Sequence, residues 1–302
     1  KLHSTEMKDM PERCLYRHAG RNDMSYKIIV DSCGELTDKM KASGCFETAS
    51  LQIDVNGHHI VDDETFNQAE FLKIVAESPE SPKSSCPSPE RYMEGYCCEA
   101  DHVYAVTLSA ELSGSYNSAV LGKNLYQEEY GEKDIYVFNS RSASVGETLI
   151  AMKIAECEEK GMSFSEVVDT VEAYINSQHT YFVLETLDTL RKNGRLTGIK
   201  AVMATALNIK PVMGSTPEGT IQQLGQARGV KKALAKMGDE IIKELENSRD
   251  KILAISHCNC PARAKYVKEM LTAKAQFKDV VILDTAGISS MYAADGGVIV
   301  VV

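Results

Sequence analysis

The stretch Thr107–Ala119, TLSAELSGSYNSA, sets hydroxyls at Thr107, Ser109, Ser113, Ser115, Tyr116 and Ser118 around one glycine, Gly114. Three chemistries fit that pattern. A loop that opens a helix offers unpaired N–H groups and a partial positive charge, so with serine donors added it is a candidate anion cradle. Ser113 is a candidate nucleophile. The third reading is an ordinary polar turn. A nucleophilic serine needs a base and an orienting acid. His102 begins the strand that leads into the loop, on the side away from it, which leaves His257, at the end of another strand, as the better base. No G-x-S-x-G elbow occurs. The phosphate-loop pattern is also missing: GSYNSAVLGKN spaces its glycines wrongly and has no Ser or Thr after Lys123.

A second hydroxyl pair, Ser84 and Ser85, lies in the proline-rich SPESPKSSCPSPERY. Composition alone suggests a flexible linker. The end of the stretch argues otherwise, because Ser88, Pro89 and Glu90 supply a hydroxyl cap, a proline at the first helical position and an acid in the first turn. Ser84 and Ser85 therefore precede a helix N-terminus. His257, Cys258 and Cys260 hint at a metal, but the other half of a structural zinc pattern is absent, so no metal and no cofactor is expected.

Short β-branched runs and amphipathic segments must position these residues. YKIIVDS (26–32), HVYAVTLS (102–109) and DIYVFNS (134–140) read as buried strands. Between the last two, SGSYNSAVLGKNLYQEEYG reads as a helix with Tyr116, Ala119, Val120 and Tyr126 on one side and Gly131 as its stop. Strand, helix and strand in that order predict a parallel sheet covered by helices. DVNGHHI predicts a hairpin-like excursion. TFNQAEFLKIVAES, TLIAMKIAECEEKG and SFSEVVDTVEAYINSQ predict helices. Beyond residue 177 the reading is TYFVLET strand, LDTLRKNG short helix, IKAVMATALN helix, then IKPVMGS and IQQLGQAR strands about the TPEGT turn. A long helix from Val230 to about Glu246 follows, and KILAISH, PARAKYVKEMLTAK, DVVILDT and GGVIVVV supply strand, helix, strand and strand.

A length of 302 residues suggests two domains at about 150 residues each. The fold class expected is α/β with two α/β domains: a parallel N-terminal sheet flanked by helices over 25–176, and a mixed-sheet domain over 177–302. Residues 1–24, of alternating charge, read as a surface extension. A net charge of −10 disfavours nucleic acid and anionic membrane surfaces as partners. No window approaches the ~20 apolar residues of a membrane helix. Nine cysteines without a disulfide ladder predict reduced thiols and a cytoplasmic protein.

These segments resemble the DegV family from about Tyr26 to Val302. LSAELSGSYNSA is similar to the family's LSSxLSGTYxSA signature, and KSSCPSPE stands where the family has a Thr-Ser-Gln-Pro segment. IIVDSCGEL, TLDTLRKNGRLTG, LNIKPVMG, GQARG and ISHCNC match further segments in order. The resemblance implies a carrier that buries a long-chain fatty acid and presents its carboxylate to a separate kinase subunit, which makes an acyl-phosphate; the chain itself is then not an enzyme. It implies carboxylate contacts at Ser84 and Ser113, flanked by Ser85 and Gly114. Arg195 and Arg228 then serve the head-group end or the kinase face. Cys86 replaces the family's usual glutamine, and the family's C-terminal histidine falls on Ala293, with Tyr292 and Asp295 as its polar neighbours. The alternative is a serine hydrolase or acyltransferase using Ser113 and His257.

Overall fold

A computed structural model describes residues 25–196 and 208–302. The first half contains β1 (Tyr26–Asp31), α1 (Asp38–Ser43), β2 (Phe46–Ala49), β3 (Gln52–Val55), β4 (His58–Val61), α2 (Gln68–Glu77), β5 (Lys83–Ser85), α3 (Pro89–Tyr96), β6 (His102–Thr107), α4 (Ser115–Tyr130), β7 (Asp134–Asn139), α5 (Val145–Glu159) and α6 (Phe164–Asn176). The second half contains β8 (Thr180–Val183), α7 (Asp188–Lys192), β9 (Ile209–Ser215), β10 (Ile221–Arg228), α8 (Val230–Glu244), β11 (Ile252–His257), α9 (Pro261–Thr272), β12 (Asp279–Asp284), α10 (Gly287–Ala293) and β13 (Val298–Val301). The extension expected over 1–24 lies outside the described residues, as does nearly all of the helix expected over 199–208.

A parallel sheet in the order β2-β1-β6-β7 forms the first layer. Its strands are apolar on both faces, as a sheet covered twice requires. Ile28, Val30, Tyr104 and Val106 face α5 and α6, while Ile29, Val103 and Ala105 face α3 and α4. A six-stranded mixed sheet, β10-β9-β8-β13-β11-β12, forms the second. One of its faces packs on α8 and α9 through Tyr181, Val183, Leu253 and Ile255. The other, with Phe182, Ala254 and Val301, packs on Val145 and Leu149 of α5. Helix α5 thus touches both sheets, Ile150 and Ile154 toward the first and Val145 and Leu149 toward the second. This double contact is why its sequence shows no polar face.

A third, antiparallel sheet, β4-β3-β5, is built on the expected hairpin. Asn56 and Gly57 take φ of 50° and 76°, the paired left-handed turn that joins twisted strands. Strand β5 emerges from the proline-rich stretch that composition alone suggests is a linker; pairing of Ile53 with Ser84 holds it. Ser88 caps α3 as expected and accepts from Arg91 N at 3.3 Å. The short helix α10 lies in the DVVILDT–GGVIVVV connection, where no helix was expected.

Candidate functional site

The hydroxyl-rich loop runs from the end of β6 to α4, and Asp31 at the end of β1 holds it at both ends. Asp31 Oδ2 accepts from Leu108 N at 2.8 Å and from Ser115 Oγ at 2.6 Å, and the Tyr92 hydroxyl lies 2.6 Å from the same serine oxygen. The six hydroxyls therefore divide by task. Thr107 Oγ1 donates to Phe138 O, Ser109 Oγ donates to Gly219 O at 2.8 Å across to the second half, and Ser118 Oγ meets Cys86 Sγ. Only Ser113 of the six lines an apolar cavity between the parallel and mixed sheets. Its Oγ accepts from Ser115 N at 3.2 Å, which directs the hydroxyl hydrogen away from the backbone.

That cavity comprises about 840 Å³ of space between atoms, its open mouth included. It lies between the layers, with walls that include Leu112, Phe182, Leu190, Ile221, Ile288 and Ile299. Ser84 lines it too, because β5 alternates: Lys83 and Ser85 face solvent and Ser84 turns inward. Ser84 Oγ lies 3.4 Å from the hydroxyl of Tyr292 on α10, also a lining residue. Arg195 completes the group; its Nε donates to Leu112 O at 3.0 Å and its Nη1 to Asn193 O at 2.6 Å. Asn193 Nδ2 in turn donates to Pro82 O at 2.9 Å, which ties this turn to β5.

The structure thus brings Ser84, Ser113 and Arg195 to one cavity. Ser85 stays at the surface. Arg228, exposed at the end of β10, lies outside the lining, and so does Gly114. Gly114 has an ordinary φ of −74°, and its missing side chain serves packing: a Cβ there would stand 3.2 Å from Cys86 Sγ. Asp295 is exposed and accepts from Asn259 Nδ2. Tyr292 has only its apolar-aromatic character and its place beside Ala293 to signal it in the sequence.

Buried acids lie behind the cavity. Cys33 and Ser144 belong to its wall, and Ser144 N donates to Cys33 Sγ. Ser144 Oγ reaches both Glu35 oxygens, at 3.0 and 2.9 Å. Burial pushes the Glu35 carboxyl up to about 7. Burial, and then the neighbouring Asp31 charge, hold Glu147 well above the usual carboxylate range. Asp62 accepts from Gly287 N at 2.7 Å and Ile288 N at 2.8 Å, fixing the start of α10, and burial raises it to about 6.

Hydrolase geometry is not supported. His257 Nδ1 lies 3.1 Å from Asp284 Oδ1, His102 Nδ1 lies 2.7 Å from Glu158 Oε1, and among the described residues no histidine lines the cavity beside Ser113. No group of three His, Cys, Asp or Glu among the described residues is placed to hold a metal ion, and no described helix is long and apolar enough to cross a membrane. What the arrangement can do is enclose an apolar body and hold one polar end with neutral hydroxyls.

The profile of a family described as "Uncharacterised protein, DegV family" matches residues 25–302. A DegV domain-containing protein of Streptococcus gordonii is 33% identical over 279 residues, 91% of this chain and 98% of that one. A solved DegV family protein of Ruminococcus gnavus, refined with vaccenic acid, is 64% identical with a TM-score of 0.91, covering 93% of this chain and 100% of the other. The fatty acid kinase (Fak) B3 protein of Streptococcus pneumoniae, loaded with linoleic acid, is 31% identical with a TM-score of 0.82, over 92% of this chain and 99% of that one.

Proposed function

Because the chain belongs to the DegV family, we propose that it is a cytosolic carrier of one long-chain fatty acid, whose carboxylate it presents to a separate kinase subunit. One observation carries this reading: an apolar cavity between the layers has Ser84 and Ser113 together in its lining. The fatty acids in the Ruminococcus gnavus and Streptococcus pneumoniae relatives support the ligand class, and the kinase name of the latter supports the partner.

Energies support a binder. Each buried CH₂ contributes about 0.8 kcal/mol, so a sixteen-carbon tail supplies roughly 12 kcal/mol before association costs. A charge-assisted hydrogen bond adds about 1.5–3 kcal/mol. The tail sets affinity. The hydroxyls set direction and keep a buried carboxylate from losing all its partners. Because they are neutral, they leave more charge on the carboxylate oxygens than an arginine clamp would, which suits attack on a phosphoryl group. Arg195, partly exposed at the head-group end, and Arg228 on the surface are the residues assigned to kinase docking.

The test is solvent extraction of the purified protein with mass spectrometry of the extract, followed by incubation with ATP and a fatty acid kinase. A co-purified long-chain acid that becomes acyl-phosphate only when the kinase is present is the expected result. No bound lipid and no binding of added fatty acid would end the proposal. Arg228→Glu, an exposed position outside the cavity lining, is expected to cut kinase turnover about tenfold while lipid content stays unchanged; equal turnover rejects its docking role.

A further inference from the structure

We infer that the phenol of Tyr292 is a third head-group donor and sets the preference for an acid over a neutral lipid. The inference rests on the fatty-acid reading above and assigns a residue that the reading does not use.

The argument is one of hydroxyl commitments within a single cavity. Ser144 Oγ is engaged by Glu35, Ser289 Oγ donates to Cys33 O at 3.1 Å, and Ser142 Oγ pairs with Thr180 Oγ1 at 2.6 Å. Ser84 and Tyr292 meet only weakly, at 3.4 Å. That pair carries two hydroxyl hydrogens and shares at most one, so the other is available to an acceptor between them and Ser113. A phenol is a stronger acid than an alkyl hydroxyl, so its hydrogen bond to an anion is the stronger one.

The ring is also held in place, as a recognition group must be. Helix α10 is anchored at its start by Asp62, which accepts two of its N–H groups. Its far end is confined by Gly297, where a Cβ would stand 2.4 Å from Ala293 O. The Tyr292 ring packs against the apolar cluster of the mixed sheet and against the one built on β3 and α10, which leaves the hydroxyl at the Ser84 end.

The test compares palmitate with hexadecanol, equal in tail and different in head, on wild-type protein and Tyr292→Phe. Palmitate is expected to bind the variant about tenfold more weakly, the value of one charge-assisted bond. Hexadecanol should stay within about twofold. Bound palmitate labelled with ¹³C at its carboxyl should titrate at a higher pH in the variant, because a donor to its charged form is gone. Unchanged palmitate affinity, or an equal loss for both ligands, overturns the assignment. Wild-type protein that binds neither ligand overturns the underlying reading along with it. If Tyr292→Phe does not fold, 3-fluorotyrosine at position 292, with a more acidic phenol, is measured at about pH 6.5. Tighter palmitate with unchanged hexadecanol supports the role, and no change rejects it.

Discussion

The two sides of the cavity are built from opposite chemistry. One presents neutral hydroxyls, Ser84, Ser113 and Tyr292, with little committed to the protein. The other is backed by the carboxyls of Asp31, Glu35, Asp62 and Glu147, each at most 6% exposed. Three of these acids join segments distant in the chain: Asp31 holds the Leu108–Ser115 loop, Asp62 holds α10, and Glu35 holds Ser144. The difference teaches that the groups fixing the site and the groups facing a ligand are separate sets. The acids set the geometry and the hydroxyls use it.

The sharpest way to break that division is Asp31→Ala. It orphans Leu108 N and Cys33 N and leaves the Ser115 hydroxyl with Tyr92 alone, so a loss of about 3 kcal/mol in urea unfolding is expected, with loss of bound lipid. Retained stability would mean that the acid holds nothing. Next comes pH. Glu35 and Asp62 bind protons more tightly folded than unfolded, since burial raises them to about 7 and about 6. Their contribution is therefore full below the unfolded carboxylate range and is lost as pH rises through about 6 and then about 7. For Glu35 the loss is of order 3 kcal/mol. Urea midpoints measured from pH 5 to 8 should fall, and Glu35→Gln should flatten the fall; a midpoint flat in the wild type refutes it. Ser113→Ala tests the other side: stability should shift by about 1 kcal/mol or less while fatty acid is held about tenfold more weakly. A variant that retains lipid as the wild type does would remove Ser113 from the head-group set. The smallest effect is expected for Ser85→Ala, a surface change within about 0.5 kcal/mol and without effect on lipid content.

What the sequence made legible followed from local rules. The β-branched runs marked the parallel strands, Asn56-Gly57 marked the hairpin, and Ser88-Pro89-Glu90 marked the start of α3. Family resemblance singled out Ser84 and Ser113, which the fold brings to one cavity. Strand β5 was hidden because its prolines mask a pairing that only β3 supplies. Helix α10 was hidden because a seven-residue helix depends on Asp62, 225 positions from Gly287 in the chain. The acid cluster has no periodicity at all. Gly114, which the resemblance sets beside the carboxylate contacts, instead makes room for Cys86.

Helix α5 carries a consequence for the whole chain. Its one surface completes the interior of the parallel layer and its opposite surface completes that of the mixed layer. Neither half owns a spare copy of this shared wall. Severing the polypeptide after residue 176 would strip Val145 and Leu149 of their neighbours and leave the remaining fragment without a cover for Phe182 and Val301. The two halves are therefore expected to melt together, in one step.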